Sequence, residues 1–183
     1  MNVLTVRLED IREKTAEISE QLPGAAFPVL SEMIQSGEVV LTSPVCVEIT
    51  AAHEFDHVRV NGRVDAGIRL ACSRCLAEYD DVVSSNFVLF YTKAQGNETV
   101  PDEEVELSET DLVSATYRGD EIDLVSAVEE QVITELPMKP LCSDQCRGLC
   151  SSCGADLNTV DCGCRQEAPS LAFSVLKDFT ITP

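Results

Sequence analysis

Nine cysteines are the residues of this 183-residue chain best placed to do chemistry, and eight of them come in close pairs. Cys72 and Cys75 form a CxxC, Cys142 and Cys146 a Cx3C, Cys150 and Cys153 a second CxxC, and Cys162 and Cys164 a CxC. An ion that takes four ligands in a tetrahedron, such as Zn2+, suits such pairs. A short loop turns both sulfurs toward one centre while its amides point at the thiolates. Cys150-Ser151-Ser152-Cys153-Gly154 is the best single knuckle, because Gly154 can take the positive φ that closes the turn. The preferred grouping is a local site of Cys150, Cys153, Cys162 and Cys164, and a long-range site of Cys72, Cys75, Cys142 and Cys146, hence two zinc ions. A rival grouping gathers Cys142, Cys146, Cys150 and Cys153 and leaves the distant pairs to each other. The long-range site matters more, since a structural zinc is worth roughly 10 kcal/mol, as much as a domain's whole stability.

Two other thiol chemistries are weighed against this. A redox dithiol sits at a helix N-terminus that lowers one thiol's pKa, whereas Cys72 ends one strand and precedes another. An iron–sulfur cluster also takes four thiolates, but its tighter cysteine runs do not match these spacings. Cys46 lies between Val45 and Val47 and reads as a plain thiol on the other strand face. His53 and His57 fall in a predicted turn and read as surface residues. No GxSxG, phosphate-binding loop, dinucleotide glycine pattern or HExxH is present. Carboxylates are too many for any pair to stand out as acid and base.

The cysteines need a scaffold, and composition bounds it. At 44% hydrophobic residues the chain can bury a core, which aliphatic side chains must dominate because there is no Trp. No apolar run is long enough to span a membrane. The charged stretch from Arg7 to Glu13 is unlike a signal peptide. A cytoplasmic location is therefore expected, and there the cysteines are not a disulfide framework. The net charge is −19, and residues 98–136 hold 13 carboxylates against Arg118 alone. Such a surface repels phosphate backbones at long range and favours a basic partner.

Hydrophobic spacing predicts the elements. Asp10 to Leu22 is expected as a helix from Ile11, Ile18 and Leu22, with Pro23-Gly24 as its stop, and Pro28 to Gln35 as a second closed by Gly37. Val45, Val47 and Ile49 alternate. Val58, Val60, Val64, Ala66, Ile68, Leu70 and Cys72 then all occupy even positions, with Arg59, Asn61, Arg63, Asp65 and Arg69 on odd ones. That is one long strand with one buried face. Asn61-Gly62 invites a hairpin, but a turn there would put Arg63 on the apolar side with Val60, so the strand runs on, with a bulge at Gly62 as an option. The turn falls at Cys72–Cys75, after which Tyr79, Val83, Phe87, Leu89 and Tyr91 continue the meander. Residues 94–119 read as mostly loop. Asp120 or Asp123 caps a helix through Leu136, and a last short helix is expected at Ser170 to Phe179.

The cysteine-rich segment carries a resemblance. Leu136-Pro137-Met138-Lys139-Pro140-Leu141-Cys142, Cys146-Arg147-Gly148-Leu149-Cys150, Cys153-Gly154-Ala155-Asp156-Leu157-Asn158 and Cys162 closely resemble the YceD family. Cys72-Ser73-Arg74-Cys75-Leu76, Ile122-Asp123-Leu124 and the closing helix match in order. The resemblance implies a role in ribosome biogenesis, namely accumulation of large-subunit ribosomal RNA, with no catalytic activity. Many relatives place an arginine after the proline preceding the last helix. Here the order is Ala168-Pro169-Ser170, so a contact assigned to that arginine does not carry over.

The expectation is an α+β protein: an antiparallel β-meander of long strands with flanking helices and a zinc-stapled, cysteine-rich C-terminal segment. Residues 1–117 are taken as an antiparallel β domain with N-terminal helices and an acidic loop. Residues 118–183 are taken as a helix plus zinc-binding segment packed as one unit with the first. The function read is a zinc-binding, non-enzymatic ribosome biogenesis factor. It would bind a ribosomal precursor, a basic ribosomal protein or an RNA-processing enzyme, with no membrane and no small-molecule substrate. Arg59, Arg63, Arg69 and Arg74 are the candidate RNA or partner contacts, although Asp65 interrupts the row. The alternatives are a thiol–disulfide oxidoreductase using a CxxC pair and a zinc-ribbon transcription accessory protein.

Overall fold

The computed structural model describes residues 3–12, 14–94 and 114–164. The long even-parity run is the spine of the first unit. It forms β5 (His57–Ala71), flanked by β4 (Val45–Glu54) and β6 (Glu78–Lys93). Val58, Val60, Val64, Ala66 and Ile68 are buried and Arg63 and Arg69 are exposed, as the alternation requires. The β4–β5 register runs without a slip from Cys46↔Asp65 to Glu54↔His57, so no bulge interrupts it at Gly62. The turn between them is Phe55-Asp56, and Phe55 takes a φ of 50° there. Gly62 serves packing instead. A Cβ on it would overlap the Phe87 ring, which lies over the strand at that point.

The remaining strands complete two sheets. The six-stranded sheet has the order β2-β4-β5-β6-β7, with β2 at Ala16–Leu22 and β7 at Ser114–Tyr117. Short β3 (Val40–Leu41) pairs with the second half of β5, on the flank that β4 occupies along the first half. Between β3 and β4, Pro44 has no N–H to give a ladder, and the Ser43 hydroxyl accepts the N–H of Gly67 at 2.8 Å. β1 (Thr5–Arg7) and β8 (Glu121–Asp123) form a separate antiparallel pair.

One expectation is corrected. Asp10–Leu22 is not a helix. Its C-terminal half is β2, paired antiparallel with β4 from Ala16↔Ala51 to Leu22↔Val45. Ile18 and Leu22 fit a helical period, but Ala16, Ile18 and Leu22 also share one strand face, and the unpaired edge of β4 decides between them. Within 94–119, expected as mostly loop, Ser114–Tyr117 is a strand paired parallel with Phe90–Lys93, and 95–113 lie outside the described residues. The expected last helix, Ser170 to Phe179, lies outside the described residues.

Both expected interior helices are present. α1 (Pro28–Ser36) starts with Pro at its first position and ends at Gly37, whose φ of 80° makes the left-handed cap. Its N-cap, Phe27, has no side-chain bond to offer. Buried Glu129 supplies it from 99 residues away, accepting the Leu30 N–H at 2.8 Å. A carboxylate there meets the positive end of the helix dipole. Glu129 belongs to α2 (Val125–Thr134), whose first N–H is accepted by the Asp123 carboxylate at 2.9 Å. Val128 and Val132, one turn apart, join the aliphatic core of the unit. On β6, buried Ser85 hydrogen-bonds Gln131 and Glu135, both at 3.3 Å.

Contacts divide the chain into two compact units. The first holds Met1–Leu70 and Tyr79–Met138, and the second holds Ala71–Glu78 with the chain from Lys139 onward. Among the described residues no helix is long and apolar enough to cross a membrane.

Gly62→Ala separates packing from propensity. Strand propensity favours Ala over Gly, yet the added methyl must displace the Phe87 ring, so a loss of roughly 1–3 kcal/mol is expected. Chemical denaturation of the variant, with and without Phe87→Leu to make room, checks this. A stability equal to or above that of the parent would refute the packing role.

Candidate metal centre

The second unit assembles around sulfur. The turn after β5 brings Cys72 and Cys75 to one side, held by the Cys72 N–H to the Ala77 carbonyl at 2.9 Å and the Leu76 N–H to the Cys72 carbonyl at 2.9 Å. Leu76 takes a φ of 61°, a left-handed conformation that a leucine adopts only under constraint. Ser73 N–H meets the Pro140 carbonyl at 2.8 Å and draws the Cys142–Cys146 loop alongside. Cys72 and Cys146 then stand with their sulfurs 3.7 Å apart, as do Cys75 and Cys142. An ion about 2.3 Å from each of four sulfurs in a tetrahedron leaves neighbouring sulfurs about 3.8 Å apart. The cage therefore has the dimensions a tetrahedral metal needs.

The second group is local. Gly154 turns the chain with a φ of 74°, its N–H bonding the Cys150 carbonyl at 2.8 Å, as the knuckle requires. Cys150, Cys153, Cys162 and Cys164 converge, and in each of the two groups all four sulfurs lie within 4.8 Å of one another. The structure thus brings together the eight paired cysteines in the preferred grouping and not in the rival one. Cys46 stands apart on β4, its sulfur 3.9 Å from the Pro44 carbonyl.

Electrostatics match the geometry. Backbone N–H groups of Cys142 and Cys75 lower the Cys72 thiol to about 6. Those of Cys153 and Ser152 do the same for Cys150, also to about 6. Each group also holds one thiol that resists ionisation. Cys142 is pushed up to about 12, first by its bond with Cys75 and then by burial. Cys164 is pushed up to about 12 by Cys153 and Cys162. Crowded thiols cannot all become anions unless a cation sits among them. An entering ion displaces those protons, so its hold weakens as pH falls.

The four candidate contact arginines each lie beside an acceptor of the protein itself. Arg74, inside the first CxxC loop, donates from Nη1 to the carbonyls of Cys146 at 2.9 Å and Asp144 at 3.2 Å. Its own carbonyl accepts the Leu149 N–H at 3.1 Å, so it braces the sulfur cage. Arg63 grips Asp65 through two bonds of 2.8 and 3.1 Å, and Arg69 grips Asp80 at 2.7 and 3.2 Å. Arg59 lies 3.7 Å from Glu54. Asp65, which interrupts the row in sequence, thus pairs with one of its members. His57 sits beside Asp56 at 3.0 Å with its ring edge-on to Phe90 and is a member of neither metal-ligand group.

Asp156 and Asn158 belong to the Cys153–Asn158 motif, and cysteine spacing assigns them no role. Asn158 donates from Nδ2 to the Cys146 sulfur at 3.4 Å and accepts the Arg147 N–H at 2.7 Å. Asp156 orients it, accepting both its Nδ2 and its backbone N–H. Two Asx residues between a knuckle and the next cysteine were the available signal, since such side chains bond nearby backbone.

The comparisons agree with this layout. The family model described as "Large ribosomal RNA subunit accumulation protein YceD" matches residues 60–180, which include both cysteine groups. A chloroplastic large ribosomal RNA subunit accumulation protein YCED homolog 1 of Arabidopsis thaliana is 24% identical over 73% of this chain and 48% of its own length. Its Zea mays counterpart is 27% identical over 67% of this chain and 49% of its own. An uncharacterized protein of Mycobacterium leprae is 29% identical over 63% of this chain and 50% of its own. The chain thus spans about half the length of the curated relatives it matches. No solved structure matches it.

The two groups differ in what they close. The sulfurs of Cys75 and Cys142 join positions 67 residues apart, whereas the second group spans only Cys150 to Cys164. Loop-closure entropy makes the longer closure worth roughly 1–2 kcal/mol more. Cys75→Ala is expected to lower the stability of the metal-loaded protein by that much more than Cys164→Ala, read by denaturant melts before and after chelation. Equal losses would mean that the two groups contribute alike.

Proposed function

The chain belongs to the YceD family, and on that premise we propose that it is a zinc-binding, non-enzymatic factor for accumulation of large-subunit ribosomal RNA. The observation that carries this is the family match across residues 60–180 coinciding with two cages of four cysteines. Zinc is favoured by the donor set. Four thiolates with 3.7 Å between partner sulfurs suit a closed tetrahedral site with no open position for substrate. A dithiol enzyme needs one reactive sulfur facing a substrate, while each low thiol here faces three other sulfurs. The metal's chemistry, when bound, is structural: it offsets half of the thiolate charge and ties the four sulfurs together. The protein's residues do the rest, aiming backbone N–H groups and the Asn158 amide at sulfur and holding the two strands of each cage.

The partner proposed is a basic protein of the ribosomal precursor rather than bare RNA. Three features support it. The chain carries −19, which weakens attraction to phosphate. Arg63 and Arg69 are engaged by carboxylates on the protein itself. Phe55 is 97% exposed at a hairpin tip between Glu54 and Asp56, an aromatic face beside carboxylates that suits an arginine or lysine side chain.

Depletion of the protein is expected to lower mature large-subunit ribosomal RNA relative to the small-subunit species. Wild-type chain should restore it, and a Cys72→Ala/Cys75→Ala variant should not. Crosslinking in cells should give ribosomal proteins that persist after nuclease treatment and diminish with Phe55→Ser. Unchanged ribosomal RNA on depletion would refute the function. Crosslinks to RNA alone would replace the partner proposed here with direct RNA binding.

A further inference from the structure

Asn158 lies on the chain between Cys153 and Cys162, two members of the second cysteine group, yet its amide hydrogen-bonds a sulfur of the first. The loop closed by the second group carries Asp156, Leu157 and Asn158. Leu157 N–H bonds the Gly148 carbonyl at 2.9 Å and Cys150 N–H bonds the Ala155 carbonyl at 2.8 Å, a small ladder around the Leu149↔Asp156 bridge. Beyond it Asp156 fixes Asn158 through bonds of 2.7 and 2.9 Å, so that Nδ2 reaches Cys146 Sγ at 3.4 Å and Oδ1 takes the Arg147 N–H at 2.7 Å. The opposite flank of the ladder is tied to Arg74, within the first CxxC, by the Leu149 N–H.

We propose that the two metal sites are coupled, with Asn158 as the positioning residue through which occupancy of the second site raises the affinity of the first. This rests on the metal-binding reading above. A hydrogen bond to a thiolate spreads its charge and orients it, and loss of such an outer contact costs about 10–100-fold in metal affinity. An empty second site frees the loop from Cys153 to Cys162, and ordering Asn158 against Cys146 then costs conformational entropy that a closed loop has already lost. By linkage the effect is reciprocal: filling the first site favours the second by the same factor.

The experiment uses the full chain loaded with 113Cd2+, whose NMR resonances resolve the two sites, in competition with a chelator. Asn158→Ala is expected to weaken the first site about 10–100-fold and to shift its resonance, leaving that of the second in place. Asn158→Asp, which keeps the size and shape of the side chain but lacks the Nδ2 donor, is expected to weaken the first site at least as much, and affinity near wild type there overturns the role of the N–H. Cys162→Ala/Cys164→Ala, which disables the second site without touching Asn158, is expected to weaken the first by a similar factor. The triple variant should lose little more than either. First-site affinity within twofold of wild type in the double-cysteine variant overturns the coupling, even if Asn158→Ala fails to fold. So do losses that multiply in the triple variant. Wild-type protein that takes up no cadmium overturns the metal reading itself, a result distinct from two ions bound independently.

Discussion

Four sulfurs drawn within 4.8 Å of one another cannot all be anions on their own, and the second unit is organised around that constraint. Every nearby device lowers the cost of negative charge on sulfur: backbone N–H groups at Cys72 and Cys150, and the Asn158 amide at Cys146. The backbone N–H groups come from the short loops of the paired cysteines and, at Cys72, first from Cys142 across the cage. The described part of this unit contains one isolated bridge and no helix. With few apolar groups to bury, it depends on sulfur and hydrogen bonds where a larger domain would use a core.

The first unit rests on a different constraint, the parity of β5. Fifteen residues with an unbroken period of two present a continuous apolar face, and a slip of one position would exchange valines for arginines. That fixes the register with β4 and makes Phe55-Asp56 the turn despite the strain at Phe55. The same strand ends at the first CxxC, so one periodic element carries the chain from an aliphatic core into a thiolate cage. Glu129 does comparable work for the helices, joining α1 to α2 through a buried carboxylate bond.

Features set by local covalent or periodic rules were legible before the coordinates. The parity of Val58 to Cys72 predicts β5, Gly37 predicts the end of α1, and short loops predict the cysteine pairs and favour, over one rival, the grouping found. Features decided by a competitor elsewhere in the chain were not. Ala16–Leu22 fits both a helix and a strand, and only the free edge of β4 selects the strand. Parity carries the strand through Gly62, but why a glycine stands there is hidden, because its partner, the Phe87 ring, is 25 positions away. Asn158 is the sharpest case. Its role depends on a sulfur that belongs to the other group, and no spacing rule within its own group points there.

The arginines show why charge must be read in place. As a sequence, Arg59, Arg63 and Arg69 form a ladder that suits a phosphate backbone. As a structure, two of them hold carboxylates in paired bonds. An RNA phosphate would have to replace Asp65 and Asp80 one for one, gaining little from bonds already made. Each four-thiolate site keeps a net −2 even around a dication, so metal binding does not turn the second unit into a cationic surface. At −19 the chain repels a phosphate backbone at long range, and ion pairs of Arg63 and Arg69 within the protein leave less cationic surface to offset that.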